Sequence, residues 1–196
     1  MGFIIKLKGM LPKFKRPELL LHQPIPRPLH GTSPRVIRGK AWWDKQRAKA
    51  YKKNNYCCWA CGVRKESARK HRWLEGHEVY DIDYREGRAV FKEVVALCTL
   101  CHSFIHQGRL AAQLDKGEIT YSAYREVVDH GFAIINAAGL EAKWLGQKSA
   151  DAFLGYGAQS DGAVPWSQWR LIIGKKAYAP RIASYALWIK HYHGKD

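Results

Sequence analysis

Residues 57–62 read Cys-Cys-Trp-Ala-Cys-Gly and residues 98–106 read Cys-Thr-Leu-Cys-His-Ser-Phe-Ile-His, and these two stretches decide the fold. They hold Cys58-x2-Cys61 and Cys98-x2-Cys101, two C-x2-C pairs with 36 residues between them. Each pair can present two thiolates from one knuckle, and two knuckles complete a tetrahedral site for structural Zn²⁺. Gly62 follows the first pair, where the tight turn favours a residue tolerant of positive φ. Trp59 and Leu100 are placed to help cover such an ion. The same spacing is also met by buried free thiols or by disulfides, which need an oxidising compartment. Cys57 is the fifth cysteine. Through C-x3-C spacing it can replace Cys58, and otherwise it is a spare thiol.

Between the pairs, residues 64–71 are too charged for core and suit a turn or short helix. Residues 73–84 predict a strand, with alternation from Val79 to Tyr84, then a turn at Glu86-Gly87-Arg88 and a returning strand over 89–95. The second pair leads into a helix near 99–107, ended by Gly108. His102 and His106 are four apart, so both side chains emerge on one helix face and can bind one divalent ion. The hairpin carrying His77 and Glu78 can supply a remaining ligand and a base, while the cysteines pin hairpin and helix together. His30, His71, His191 and His193 have no such context.

Outward from this centre, residues 41–53 predict an amphipathic helix with Trp43, Arg47, Ala50 and Tyr51 near one face. Lys45, Lys49, Lys52 and Lys53 form its cationic side. Residues 1–38 hold six of the eight prolines and are expected to be irregular: an arm over the domain or along a ligand, or a flexible tail. Downstream, helices are expected over 109–116 and 121–138, the second with Tyr124, Val127, Val128, Phe132 and Ile135 as a core stripe. Gly155, Gly157, Gly162 and Pro165 mark a loop, 169–173 a strand and 182–192 a closing helix. Trp166, Trp169 and Arg170 with Lys175 and Lys176 fit either a stacking surface or aromatic core with surface lysines.

The chain of 196 residues carries a net charge of +16, and residues 1–50 alone hold twelve Lys and Arg against two acids. Such a balance suits a polyanion, because cations that neutralise phosphates release condensed counterions. A solvated basic face, a ribosomal contact or a membrane-surface patch would show the same charge. Hydrophobic residues make up 46%, which excludes wholesale disorder. No stretch reaches the roughly 18 apolar residues of a bilayer span. Lys6 and Lys8 interrupt the opening apolar residues too soon for a secretory signal. The expected setting is therefore cytoplasmic, intracellular and reducing, with no membrane partner.

Cys58-x2-Cys61-Gly62, then Leu74-Glu75-Gly76-His77-Glu78-Val79-Tyr80-Asp81, then Leu97-Cys98-x2-Cys101-His102-x3-His106 resembles the cysteine-bearing branch of the HNH endonucleases over about residues 56–108. The resemblance implies an α+β chain with a zinc-stapled ββα-metal core. It also implies a catalytic divalent cation, Mg²⁺ or another, and hydrolysis of DNA phosphodiesters. In that family a first motif joins a metal ligand to a general-base His, and the terminal helix supplies further ligands. His102 and His106 match the helix ligands. If His77 takes the ligand position, Glu78 stands where the base His usually does. If His77 is the base, Gly76 offers no ligand, and Glu75 or Glu78 must reach the ion. The family's middle Asn is absent, with Lys92-Glu93 in that region.

The expected organisation is a basic Pro-rich arm (1–38), an HNH-type nuclease module (39–110) and a mostly helical C-terminal extension packing on it (111–196). Arg35, Arg38, Lys40, Lys45, Arg47, Lys49, Lys52 and Lys53 are expected to hold the phosphate backbone of DNA, double-stranded by expectation, which gives position without sequence choice. The expected function is a metal-dependent endonuclease or nickase. The alternatives are a zinc-stabilised nucleic-acid-binding module that has lost hydrolysis, and a protein adaptor in a nucleoprotein assembly.

Overall fold

The structure, a computed structural model, describes residues 10–146 and 164–194. It is α+β, with a small mixed sheet and helices on either side of it in sequence. Two helices precede the sheet, α1 (Pro34–Arg38) and α2 (Lys40–Lys53). Strands β1 (Glu75–Asp83) and β2 (Arg88–Leu97) form an antiparallel hairpin with a bulge between Val79 and Tyr80. Helices α3 (Thr99–Ile105), α4 (Gln107–Asp115) and α5 (Tyr121–Ala137) follow. Strands β3 (Arg170–Ile173) and β4 (Lys176–Tyr178) and helix α6 (Tyr185–His193) complete the described chain.

Local chemistry explains these elements. Asp83 Oδ1 accepts from the amides of Arg85 and Glu86, both at 3.0 Å, and closes the hairpin turn. Gly87 completes it at φ +63°, where an added Cβ would lie 2.4 Å from Val164. Ser33 caps α1 by accepting from Val36 N, and Pro34 follows at the first helical position. Thr120 and Ser184 cap α5 and α6 in the same way.

The main core joins Trp43 and Ala50 of α2, Val95 and Leu97 of β2, Leu100 and Phe104 of α3, and Val127 and Ile135 of α5. Tyr124, Val128 and Phe132 pack against it, so the stripe read in the sequence is core. A smaller core gathers Leu29, Ala89, Trp169, Leu171 and Ile173. No helix among the described residues is long and apolar enough to cross a membrane.

The structure departs from expectation in three places. The Pro-rich arm is not simply irregular: Pro17 and Pro28 lie in the first turns of 3-10 helices at Pro17–Leu21 and Arg27–Leu29, because proline's fixed φ suits a helix start. From residue 10 the arm lies over the domain and buries Leu19, Leu20 and Leu21 in the main core. Each such leucine contributes roughly 1.5–3 kcal/mol, enough to offset the ordering of its neighbours. Gly108 does not end a helix; the break falls at His106 (ψ 49°), and Gly108 is the second residue of α4. In the mostly helical C-terminal extension the strand expected over 169–173 is β3, which pairs in parallel with β2, and the third departure is β4, which pairs antiparallel with β3. Gly155, Gly157 and Gly162 of the expected loop lie outside the described residues.

Candidate metal centres

The four cysteines of the two pairs converge, with ligand sulfurs all within 4.8 Å of one another. The first knuckle is shaped by its backbone: Cys58 N donates to Val63 O at 2.8 Å and Gly62 N to Cys58 O at 2.9 Å, with Gly62 at φ +81°. Trp59 N donates to Ala96 O at 2.8 Å and ties the knuckle to β2. Cys98 caps α3 directly after β2, so one cluster fastens hairpin, helix and knuckle. Cys61 Sγ and Cys98 Sγ are 3.8 Å apart, far too long for a disulfide. Two sulfurs each about 2.3 Å from a shared tetrahedral ion stand roughly that far apart. These cysteines could hold a metal such as zinc. Burial works against a thiolate at Cys58, but the Cys101, Cys61 and Cys98 thiols donate to it and carry its pKa well below the ordinary thiol value. Trp59 and Leu100 are buried beside the cluster, and Cys57 is a buried free thiol outside it.

A second cluster unites His77, His102 and His106, whose ligand atoms also lie within 4.8 Å of one another. His102 Nδ1 donates to Glu75 Oε2 at 2.8 Å. This fixes the tautomer and leaves the His102 Nε2 lone pair facing His106 Nε2, 3.2 Å away. Two nitrogens about 2.0–2.1 Å from one ion stand roughly 3.0–3.4 Å apart, so this spacing fits a shared cation. The carboxylate–imidazole pair is the arrangement that orients a ligating His from its other nitrogen. The His102 hydrogen bond holds Glu75 below the usual carboxylate range.

His77 is 5% exposed, and burial, followed by the charges of His22, His106 and His102, holds it well below the ordinary imidazole pKa. Burial, then His102 and Arg109, pushes His106 down to about 4. Both rings are therefore kept in the neutral form that ligates metals. Glu78 is not a member of this cluster. It shares with His77 the lining of a cleft of about 970 Å³. Burial pushes its carboxyl up, only partly offset by its own backbone amide and by Arg35.

His22, His130 and Arg109 were not singled out by sequence reasoning. His22 leaves the arm at the end of the first 3-10 helix, and its Nε2 accepts from Tyr80 N at 3.0 Å. The proton of the neutral ring is then on Nδ1, 3.4 Å from His77 Nε2. Burial pushes His22 down to about 4 and keeps that neutral form. Nothing local in the sequence could have paired it with a residue 55 positions away. His130 on α5 places Nε2 3.4 Å from Cys101 Sγ, bringing the extension into contact with the cysteine cluster. Arg109 lines the cleft together with His106.

Of the basic residues named from the sequence, Arg35, Arg38, Lys40, Lys45, Lys49, Lys52 and Lys53 are exposed, and Arg47 is half-buried. Lys40 and Arg47 pair with Asp44, and Lys53 pairs with Glu93. Arg38, Lys45, Lys49 and Lys52 make no ion pair among the described residues. Near the C-terminus, Trp169 is buried and Trp166 Nε1 donates to Ile182 O at 2.7 Å, so these aromatics are packed while Lys175 and Lys176 are exposed. Comparisons of the chain with protein-family models, with curated proteins and with solved structures find no match.

Proposed function

We propose that this chain is a metal-dependent DNA endonuclease or nickase of HNH type, built on a zinc-stapled ββα-metal core. The observation that carries the proposal is the convergence of His77, His102 and His106 on the hairpin–helix unit that the four cysteines fasten. A purely structural module needs the cysteines and has no use for three imidazoles turned toward one another.

In this reading His77, His102 and His106 hold a divalent cation, and Glu75 orients His102 through its Nδ1 proton. Such a cation supplies polarisation of the phosphoryl oxygen and offsets charge on the leaving oxygen. Glu78 is the general base that takes the proton of the attacking water, since its raised pKa brings the carboxylate toward working pH. His22 lines the same cleft and packs edge-on against the His77 ring at 5.2 Å. Arg35 and Arg109 on the cleft lining take non-bridging phosphate oxygens, and the exposed cations of α1 and α2 hold the flanking backbone.

Nicking of supercoiled plasmid with added Mg²⁺, Mn²⁺ or Ni²⁺ tests this, with wild type compared to His77→Ala and His102→Ala after circular dichroism has shown both variants folded. Ion-dependent nicking lost in both variants is the expected result. A wild type that binds the plasmid and cuts it under no ion would leave the scaffold a binding module and overturn the proposal.

A further inference from the structure

A cavity of about 430 Å³ adjoins the cleft and shares His106 and Arg109 with it, and the proposed chemistry leaves it unused. Its rim carries His71 and Trp73, whose rings stack in parallel at 4.1 Å with an interplanar angle of 5°. Trp73 is 53% exposed, the one exposed tryptophan among the described residues. The other seven tryptophans are buried or half-buried, so Trp73 alone leaves its ring face free for stacking beside the histidine cluster. Leu110 and Val127 give the cavity an apolar wall, while Ser103 and Gln113 give it a hydroxyl and an amide. Aromatic faces, an apolar wall and a few hydrogen-bonding groups suit a flat heteroaromatic ring with polar edges.

Position narrows the ligand further. His102 and His106 of the histidine cluster line this cavity, with Glu75 beside His102, so a ring seated here lies directly beside a phosphate held at that cluster. Arg109, common to both spaces, stands where the linking phosphate would pass. A base stacked and paired inside a duplex cannot reach such a cavity; an unpaired one can.

Resting on the nuclease reading above, we infer that this cavity is a nucleobase pocket: Trp73, backed by His71, stacks on an unpaired base next to the phosphate held at His106 and Arg109. The preferred substrate is then DNA with an unpaired nucleotide beside the cut, which narrows the expectation of plain duplex.

The test is binding without added divalent ion, using a labelled single-stranded oligonucleotide with one 2-aminopurine and the matching fully paired duplex. Wild type, Trp73→Ala and Trp73→Phe are compared, with thermal melting confirming that the surface substitutions leave the fold intact. Stacking should quench the 2-aminopurine. Trp73→Ala should weaken single-strand binding by about 5- to 100-fold, Trp73→Phe should retain most of it, and duplex binding should be unmoved. Single-strand binding equal to wild type in Trp73→Ala, or equal losses on single strand and duplex, would overturn the pocket. A Trp73-dependent preference in a protein that cuts nothing would uphold the pocket while sinking the nuclease reading. A wild type that binds neither nucleic acid would sink both.

Discussion

The two candidate ligand clusters among the described residues each bring their ligand atoms within 4.8 Å of one another, and they are differently built. The cysteine cluster sits in the main core, its sulfurs positioned by backbone hydrogen bonds of the knuckle and by the junction of β2 with α3. The histidine cluster lines two cavities, and its rings are positioned by other side chains, Glu75 on His102 and His22 on His77. A site closed by core and backbone suits an ion that serves stability, whereas one that opens on a cleft can admit a ligand. On the proposed reading, the kind of support, more than the number of ligands, separates a structural metal centre from a reactive one.

The largest expected effect breaks the cysteine side. Cys58→Ser or Cys101→Ser should remove stability on the order of 5 kcal/mol, because metal binding at a closed site is folding free energy. Denaturation monitored by circular dichroism together with zinc analysis reads this. Cys57→Ala, outside the cluster, should cost less than either, about 1–2 kcal/mol for the small buried group removed.

The histidine side should respond in activity while the fold holds. His102→Ala should lower nicking by at least about 100-fold with little change in melting temperature. Glu75→Gln, which keeps the shape but loses the charge behind His102, should weaken the affinity for the activating ion about 10- to 100-fold. A melting temperature that falls as far in His102→Ala as in Cys58→Ser would erase the contrast between the clusters.

Proton linkage gives a pH-dependent effect on the histidine side, where burial holds His77 down as well. His22 and His106 are pushed to about 4 in the fold, against an unfolded value near 6.5. The unfolded chain therefore binds more protons below that value. Stability is fully present above about pH 6.5 and is lost as the pH falls toward 4, by roughly 1.4 kcal/mol per unit for each proton. Urea melts across this window, without added ion, should show that slope, and His22→Gln should reduce it by about one proton. An unchanged slope in that variant would remove His22 from the buried set.

The smallest expected effect lies on the surface. Replacing Lys45, Lys49 and Lys52 together by Gln should leave stability within about 1 kcal/mol and lower the salt slope of duplex binding by up to about 0.9 per lost phosphate contact. Fluorescence anisotropy over a salt series measures it.

What the sequence made legible follows from range. The cysteine pairs, the Gly62 turn, the hairpin and the α5 stripe are local patterns, and each appears where its spacing placed it. His102 and His106 were paired by one helical turn, and Glu75 shares the face of His77 by strand alternation. The parallel pairing of β2 with β3 joins residues about 80 positions apart, and the three-residue β4 is too short to leave a period in the sequence. His22 and His130 reach their clusters only through tertiary packing. The arm lies over the domain, one of the expected alternatives, and only its 3-10 turns were missed: proline forbids a helix interior and favours a helix start, and composition alone cannot distinguish the two.

The contrast between a closed resident ion and an open reactive one is tested most directly by measuring metal content and plasmid nicking on the same preparations of wild type and His102→Ala. The account predicts about one tightly held zinc per chain in both proteins, with nicking on addition of a divalent ion in wild type only. Zinc lost from His102→Ala, or nicking retained by it, would contradict the division of the two clusters into one that holds the fold and one that does the chemistry.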